Sequence, residues 1–224
     1  MVPGGVSRTA GNHGVLFLDE LPEFSRAACE ALRQPLEEGE VTVSRAMTSV
    51  RFPARFAFIA AANPCPCGHL GDSRFACRCS LYDLHRYASR LSGPLLDRID
   101  LYVQAERLTS EELTGAGDGE PTAEVRSRVL AARTRQRARQ GAENGHLTSA
   151  ELAAHCQVTP AARRILSTAV DRLGLSARGF HRALRVARTV ADLAACDQIE
   201  DQHVKEALSL RHLPIIGDRE AQLT

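Results

Sequence analysis

The stretch Gly14-Val15-Leu16-Phe17-Leu18-Asp19-Glu20 decides how the first part of this chain folds. Four consecutive apolar residues, Val15 to Leu18, are typical of a strand that is buried on both faces of a parallel sheet. Two carboxylates follow at the strand's carboxyl end, where α/β sheets place ligands. Asp19 can there help to hold a hydrated Mg²⁺, and Glu20 can activate a water molecule. By itself, the pattern fits equally well a strand that ends in two solvated acids.

Two more polar positions follow apolar stretches in this part of the chain. The run from Phe56 to Ala62 predicts a second buried strand, and Asn63 at its end can orient an attacking water molecule. In Leu95-Leu96-Asp97-Arg98-Ile99-Asp100, the arginine beside an acid suits a charge supplied to a nucleotide on a neighbouring subunit. Together these positions indicate a candidate site for phosphate chemistry.

The rest of the pattern up to residue 105 mixes helices and strands. Pro22 and Ser25 begin a predicted helix that ends near Gly39, and two alternating stretches between residues 41 and 52 predict a β-hairpin. The remaining predictions are a helix from Leu81 to Leu91, a short helical turn from Pro94 and a strand over Leu101-Tyr102-Val103.

The pattern changes after about residue 105. Residues 114–122 have the composition of a linker, and only helical patterns follow. We predict helices over about 122–140, 149–155, 160–173, 179–196 and 201–211. The sequence therefore predicts part of an α/β domain followed by an all-α domain.

Composition excludes several classes of protein. Lys205 is the only lysine in the 224 residues, so no phosphate-binding loop that ends in Gly-Lys-Ser or Gly-Lys-Thr occurs among them. The net charge of +1 carries no general nucleic-acid or membrane signature. The longest apolar run, Phe56 to Ala62, is far too short to span a bilayer. An odd number of cysteines and the absence of a signal-peptide pattern favour reduced thiols and a cytoplasmic location.

Four cysteines are clustered in the loop after Asn63. Cys65-Pro66-Cys67 and Cys77-Arg78-Cys79 form two Cys-x-Cys pairs, which could supply four thiolates to a structural Zn²⁺. His69 is a spare donor. The alternatives are a loop of reduced cysteines and a redox pair.

Four motifs occur in an order that indicates a family. They are Gly14 to Phe24, Val41 to Ala46, Ala61-Ala62-Asn63-Pro64-Cys65-Pro66-Cys67-Gly68, and Leu95 to Asp100. With these motifs the chain closely resembles the ComM/YifB family of Mg-chelatase-like AAA+ ATPases, which are relatives of the magnesium chelatase ATPase subunit. The resemblance extends from about residue 3 to about residue 214.

The resemblance implies roles for the matching residues of the first part. Asp19 and Glu20 correspond to the Walker B pair, with Asp19 in the Mg²⁺ shell and Glu20 acting on the catalytic water. Asn63 corresponds to sensor 1, and Arg98 corresponds to the arginine finger that acts on the next subunit.

Two further motifs of the family concern the lid and DNA. Ser176-Ala177-Arg178-Gly179 resembles sensor 2, so Arg178 would face the γ-phosphate of ATP, with Arg185 as the alternative. The hairpin of residues 41–52 resembles the pre-sensor 1 hairpin, so Arg45 would contact DNA in a central pore. The alternative for Arg45 is an exposed charge on a hairpin.

The family's architecture implies a division of the chain and a set of partners. It implies a partial AAA+ P-loop NTPase core, a linker, an all-α lid domain with sensor 2 and a tail, over residues 1–105, 106–122, 123–215 and 216–224. The implied cofactors are ATP and Mg²⁺, beside the candidate structural Zn²⁺. The implied partners are like subunits in a hexameric ring and DNA, with no membrane.

The family's P-loop would precede the Walker B strand, and it does not occur in these residues. We expect a truncated product, a mis-assigned start or one half of a split protein whose P-loop half is encoded upstream. Alone, the chain is expected to hydrolyse ATP poorly or not at all. The intact form would act on DNA, in a branch-migration or helicase-like role in recombination or transformation. The alternatives are an ATPase subunit of a metal-chelatase complex and a non-catalytic, zinc-bearing regulatory fragment.

Overall fold

The computed structural model describes residues 14–45, 48–72, 74–105, 107–115 and 119–211. Among these, residues 14–99 belong to one compact unit and residues 100–211 belong to another. The proposed tail of residues 216–224 lies outside the described residues.

The first unit contains two small sheets. Strands β1 (Gly14–Leu18) and β4 (Phe56–Ala60) are parallel neighbours, with Leu18 opposite Ala60. Strands β2 (Glu40–Arg45) and β3 (Thr48–Pro53) are antiparallel, which confirms the predicted hairpin. The helices are α1 (Arg26–Ala31), α2 (Arg33–Glu38), α3 (Leu81–Ala88) and α4 (Gly93–Leu96), with a 3₁₀ turn at Leu21–Glu23.

The prediction that β1 is buried on both faces is wrong for the described structure. Leu18 and Phe58 pack against a core that includes Leu21 and Leu95, whereas Val15 and Phe17 on the other face are 66% and 57% exposed. The reason is that β1 and β4 are the only strands of this sheet among the described residues, and helices cover one face of it.

Two further elements differ from the sequence predictions. The helix expected up to Gly39 is broken at Leu32, because Pro35 has no amide hydrogen to donate to Ala31 and its ring would collide with that carbonyl. The strand expected over Leu101-Tyr102-Val103 does not form. The Tyr102 amide instead donates to the carbonyl of Leu210 at 2.6 Å, and no described strand lies beside this segment.

The second unit is helical, and the five predicted helices are found. They are α6 (Thr122–Gln140), α7 (Ser149–His155), α8 (Pro160–Leu173), α9 (Ala177–Leu193) and α10 (Asp201–Ser209). A short helix, α5 (Ser110–Thr114), precedes them, and a 3₁₀ turn covers Asn144–His146. Among the described helices, none combines the length and the hydrophobicity of a transmembrane segment.

Side-chain caps explain where these helices begin. The hydroxyls of Thr148, Thr159 and Ser176 each accept a backbone N–H of the first turn of the helix that follows. Apolar residues at helical spacing then pack together into one core, which includes Leu152, Leu166, Leu184 and Val204.

A buried ionic network crosses this helical core. The carboxylate of Asp192 on α9 accepts from Arg139 Nη1 at 2.6 Å and from Asn144 Nδ2 at 2.8 Å, and it lies 3.0 Å from Arg188 Nη2. Burial alone would raise the pKa of Asp192, but these donors outweigh it and hold the pKa below its usual value. Asp192 therefore neutralises two arginines, one of which, Arg188, is completely buried.

We expect the substitution Asp192→Ala to lower the free energy of unfolding of the helical unit by about 3–5 kcal/mol, because it leaves Arg188 buried without its counter-ion. Urea unfolding followed by circular dichroism measures the change. Because the pKa of Asp192 is lowered by folding, its contribution is complete above the unfolded pKa and is lost as the pH falls through the folded one.

The matched control is Asp201→Ala, which removes a solvent-exposed carboxylate paired with Lys205 at 2.7 Å. This variant should unfold close to the wild type. Equal effects of the two substitutions would contradict a special role for the Asp192 network.

Candidate functional site

The candidate site lies at the carboxyl ends of β1 and β4. Because these strands are parallel, the turn at Asp19-Glu20 and the segment before Asn63 leave the sheet at the same edge. Two backbone hydrogen bonds join them, from the Ala61 amide to the Leu18 carbonyl and from the Leu21 amide to the Ala61 carbonyl, both at 2.9 Å. The two acids and the amide that the sequence singled out therefore belong to one edge.

The backbone of Glu20 is in an uncommon conformation. Its φ of 51° and ψ of 48° lie in the left-handed region, which among the described non-glycine residues only Ala195 shares with a positive φ. The carboxylate of Asp19 accepts the Glu20 amide at 2.9 Å and supports this turn. A residue with a side chain in this region is strained, and such strain is concentrated at functional sites.

Glu20 and Asn63 line the same cleft, which has a volume of about 600 Å³. Asp19 is exposed beside Glu20 but does not line this cleft. The full lining consists of Glu20, Glu23, Asn63, Cys65, Pro66, Asp83, Arg86, Tyr87 and Arg90. The structure thus brings one predicted carboxylate, the predicted amide and one predicted cysteine together.

Helix α3 forms the opposite wall of the cleft. Its start is set by a capping box in which Ser80 and Asp83 bond each other's backbone amides, and hydrogen bonds from Ser80 lower the pKa of Asp83. One turn later, the Tyr87 hydroxyl donates to the Asn63 carbonyl at 3.0 Å. Arg90, which follows the helix, pairs with Glu23 at 2.5 Å.

Some charged side chains of the cleft are therefore paired, and others are not. Glu23 is paired with Arg90, and Asp83 is held by Ser80. Among the described residues, the side chains of Glu20 and Arg86 have no hydrogen bond or ion pair, and both face the cleft. The cleft can offer one carboxylate, one guanidinium and one amide to a bound anion and its water.

Sequence reasoning missed Arg86, Tyr87 and Arg90. A usable signal was present, because Arg86 and Tyr87 lie three and four residues after Asp83, and Arg90 lies four and three residues after them, so all four share one side of a helix. What the spacing could not show was that this side faces the ends of β1 and β4.

Arg98, the predicted arginine finger, is folded against its own unit. One guanidinium nitrogen donates to the Pro94 carbonyl at 2.5 Å, and another is paired with the carboxylate of Glu37. The side chain is 8% exposed. In this conformation Arg98 is not presented to a neighbouring subunit.

The other predicted residues lie apart from the cleft. Arg178 is exposed in the first turn of α9, in the helical unit. The alternative, Arg185, is bonded through Nε and Nη2 to the carbonyl of Leu147, at 3.1 and 2.6 Å. Arg45 is the last residue of β2, and its side chain is outside the described part of the structure.

The four clustered cysteines meet in space. The Sγ atoms of Cys65, Cys67, Cys77 and Cys79 all lie within 4.8 Å of one another. Sγ of Cys77 is 3.7 Å from Sγ of both Cys65 and Cys67, and the last two are 3.4 Å apart. A tetrahedral ion with Zn–S bonds of about 2.3 Å separates its sulfur ligands by about 3.8 Å. The spacing therefore fits a four-thiolate metal site, and all four cysteines are free thiols.

The surroundings of the cluster favour a thiolate at one position. Hydrogen bonds from the backbone of Arg78 and of His69 lower the pKa of Cys67 to about 6, whereas burial raises the pKa of Cys79 to about 12. The side chain of His69, the spare donor, packs against the ring of Phe75 and is not part of the sulfur group.

We expect the substitution Glu20→Gly to raise the free energy of unfolding by up to about 1 kcal/mol, because glycine adopts the left-handed conformation without strain. Thermal and urea unfolding measure the change. Ala195→Gly, at the other strained position, should also raise the free energy of unfolding. Glu20→Gln should not, because glutamine keeps a Cβ atom and therefore the strain in the backbone. A destabilising Glu20→Gly would show that the turn is not strained.

Comparisons with known proteins place the chain in a family. Residues 1–113 match the family model of magnesium chelatase, subunit ChlI, and residues 119–211 match that of the ChlI C-terminal region. The chain is 46% identical over 210 residues to the competence protein ComM of Haemophilus influenzae, covering 93% of this chain and 40% of ComM. It is 42% identical over 211 residues to YifB of Escherichia coli, covering 94% of this chain and 41% of YifB.

A third relative is YifB of Salmonella typhimurium, which is 42% identical over 217 residues, covering 94% of this chain and 42% of that protein. The chain thus spans about two fifths of the length of these relatives. These matches confirm the family resemblance that the four sequence motifs indicated. The chain belongs to the magnesium chelatase ChlI family and is homologous to ComM and YifB.

Proposed function

We propose that this chain forms the water-activating edge and the lid of a ComM-like AAA+ ATPase that works as a ring on DNA. The observation that carries the proposal is the meeting of Glu20 and Asn63 in one cleft at the ends of two parallel strands. Residues 1–105 are the partial ATPase core in this proposal, residues 106–122 the linker and residues 123–215 the lid.

Each residue of the edge has a distinct role. Asp19, which caps the turn, belongs to the shell of Mg²⁺, and the neighbouring Glu20 takes the proton of the attacking water. The amide of Asn63 holds that water in line. When bound, ATP would supply the phosphoanhydride bond that is cleaved, and Mg²⁺ would supply positive charge. Arg86, on the opposite wall, adds a positive charge toward the phosphates, a role to which its uncommitted guanidinium is suited.

The phosphate cradle itself is not contributed by these residues. Lys205 is the only lysine, and it lies on α10 in an exposed pair with Asp201. No Gly-Lys-Ser or Gly-Lys-Thr sequence occurs in the chain, so nucleotide binding needs a P-loop from other residues. The chain by itself is inactive or nearly so in this proposal.

Arg98 and Arg178 are the arginine finger and sensor 2 of this proposal. Arg98 acts on the nucleotide of the next subunit, which requires it to leave the carboxylate of Glu37. Arg178 reaches the phosphates from the lid. The resemblance of Ser176-Ala177-Arg178-Gly179 to sensor 2, together with the exposed position of Arg178 in the first turn of α9, supports Arg178 in this role.

The proposed action on DNA rests on two supports. The hairpin β2–β3 forms as expected for a pore element, and Arg45 ends its first strand, where it would contact phosphates without reading sequence. The relative ComM is named a competence protein, which favours a role in recombination or transformation over a role in metal chelation.

The same proposal assigns a structural Zn²⁺ to Cys65, Cys67, Cys77 and Cys79. The sulfur separations near 3.7 Å support it, and four thiolates would fill the coordination shell and leave no position for catalysis. Reduced, metal-binding cysteines are in keeping with a cytoplasmic protein.

The ATPase proposal is tested by joining this chain to the P-loop part of Haemophilus influenzae ComM. The chimera should hydrolyse ATP, whereas the chain alone should not. Glu20→Gln in the chimera should lower kcat at least about 100-fold, because it removes the general base, and Glu206→Gln on α10 should leave kcat unchanged. Robust hydrolysis by the isolated chain that Glu20→Gln abolishes would contradict the proposal.

The metal proposal is tested by measuring zinc in the chain purified under reducing conditions. We expect about one zinc per chain, because four thiolates fill one tetrahedral shell. Cys67→Ser and Cys77→Ser should lose it, while Cys196→Ser, outside the cluster, should keep it. Equal zinc content in all variants would exclude these ligands.

A further inference from the structure

We propose that the metal-loaded cysteine cluster is the anchor that positions Asn63, so that metal occupancy controls the order of the cleft. The inference rests on the proposed metal site and on the proposed role of Asn63. It adds a coupling between them: the cluster acts on the cleft as well as on its own loop.

Asn63 lies in a short irregular segment between two fixed points. Strand β4 ends at Ala60, and Ala61 makes the last backbone bonds to the neighbouring turn. Residues 62–64 are exposed, and the chain is buried again only at Cys65, which is 0% exposed. Only Pro64 separates Asn63 from that anchor. An exposed amide can hold a water precisely placed only if both flanks are rigid.

Cys65 belongs to the cluster and to the cleft at the same time. Cys65 lines the cleft with Glu20 and Asn63, and its Sγ lies 3.4 Å from Sγ of Cys67 and 3.7 Å from Sγ of Cys77. A metal ion bound by these sulfurs would therefore hold one wall of the cleft directly. Without the ion, the thiol of Cys65 meets the other Cys-x-Cys pair through a weak thiol contact with Cys77.

The other half of the cluster leads into the opposite wall. Cys79 immediately precedes Ser80, the cap of α3, and this helix carries Tyr87. The Tyr87 hydroxyl donates a hydrogen bond to the Asn63 carbonyl at 3.0 Å. The path from Asn63 through Cys65, the ion, Cys79 and α3 back to Asn63 is closed, and the ion would add metal–sulfur bonds between two Cys-x-Cys pairs that otherwise meet through thiol contacts and a backbone hydrogen bond to Cys67.

The test is amide hydrogen exchange on the full chain with one equivalent of Zn²⁺ and after its removal by a chelator under reducing conditions. We expect removal to speed exchange at least about tenfold in α3 and at the amides of Leu21 and Ala61, which are hydrogen-bonded at the edge that leads into Asn63, beyond the cysteine loop itself. Helix α9, in the other unit, should not change. Faster exchange confined to residues 66–79 would overturn the proposal, since the ion would then order its own loop alone.

Tyr87→Phe separates the coupling from metal binding. We expect this variant to keep its zinc and to show faster exchange at the hydrogen-bonded amides of Leu21 and Ala61, whereas Tyr82→Phe, at an exposed tyrosine on the same helix, should match the wild type. If wild-type chain binds no Zn²⁺, the metal proposal and this inference both fall while the ATPase proposal stands. If zinc binds and exchange at the amides of Leu21 and Ala61 does not respond, the coupling alone is overturned.

Discussion

The parallel pairing of β1 with β4 is the constraint on which the rest of the first unit depends. Parallel strands end at the same edge of a sheet, so residues more than forty positions apart in sequence leave it side by side. The backbone bonds between Leu18, Ala61 and Leu21 continue this pairing past the strands. The backbone of Glu20 is strained where the two segments meet, and the surrounding hydrogen bonds hold it in that conformation.

Arginine carries nearly all the positive charge of this chain, and the structure uses it in two ways. Arg188 and Arg139 are committed to Asp192 inside the helical core, where a planar guanidinium can satisfy several acceptors at once. Arg86 faces the cleft without a partner among the described residues, and Arg98 is held by Glu37 and a carbonyl. The same residue type thus serves as structural counter-ion and as candidate phosphate ligand, and burial separates the two uses.

Local patterns in the sequence predicted much of the fold. Five helices of the second unit, α6 to α10, follow from their apolar spacing and capping residues, and the hairpin follows from alternation, because these signals act within a few residues. The same reasoning failed at Leu101-Tyr102-Val103, because none of the strands that the structure describes lies beside this segment to pair with it. It also failed over β1, because burial of a strand's second face depends on what packs there and not on the strand itself.

The sequence by itself determined the chemical identity of the candidate site: two acids after an apolar strand, an amide after another, four paired cysteines and a single lysine far from any glycine-rich loop. Only the tertiary structure decided that Glu20, Asn63 and Cys65 share one cleft, and that Arg86 and Tyr87 complete it. It also decided that Arg98 is folded onto Glu37. The physical reason is that these contacts join residues distant in sequence, and their geometry depends on strand pairing and helix packing that no local pattern encodes.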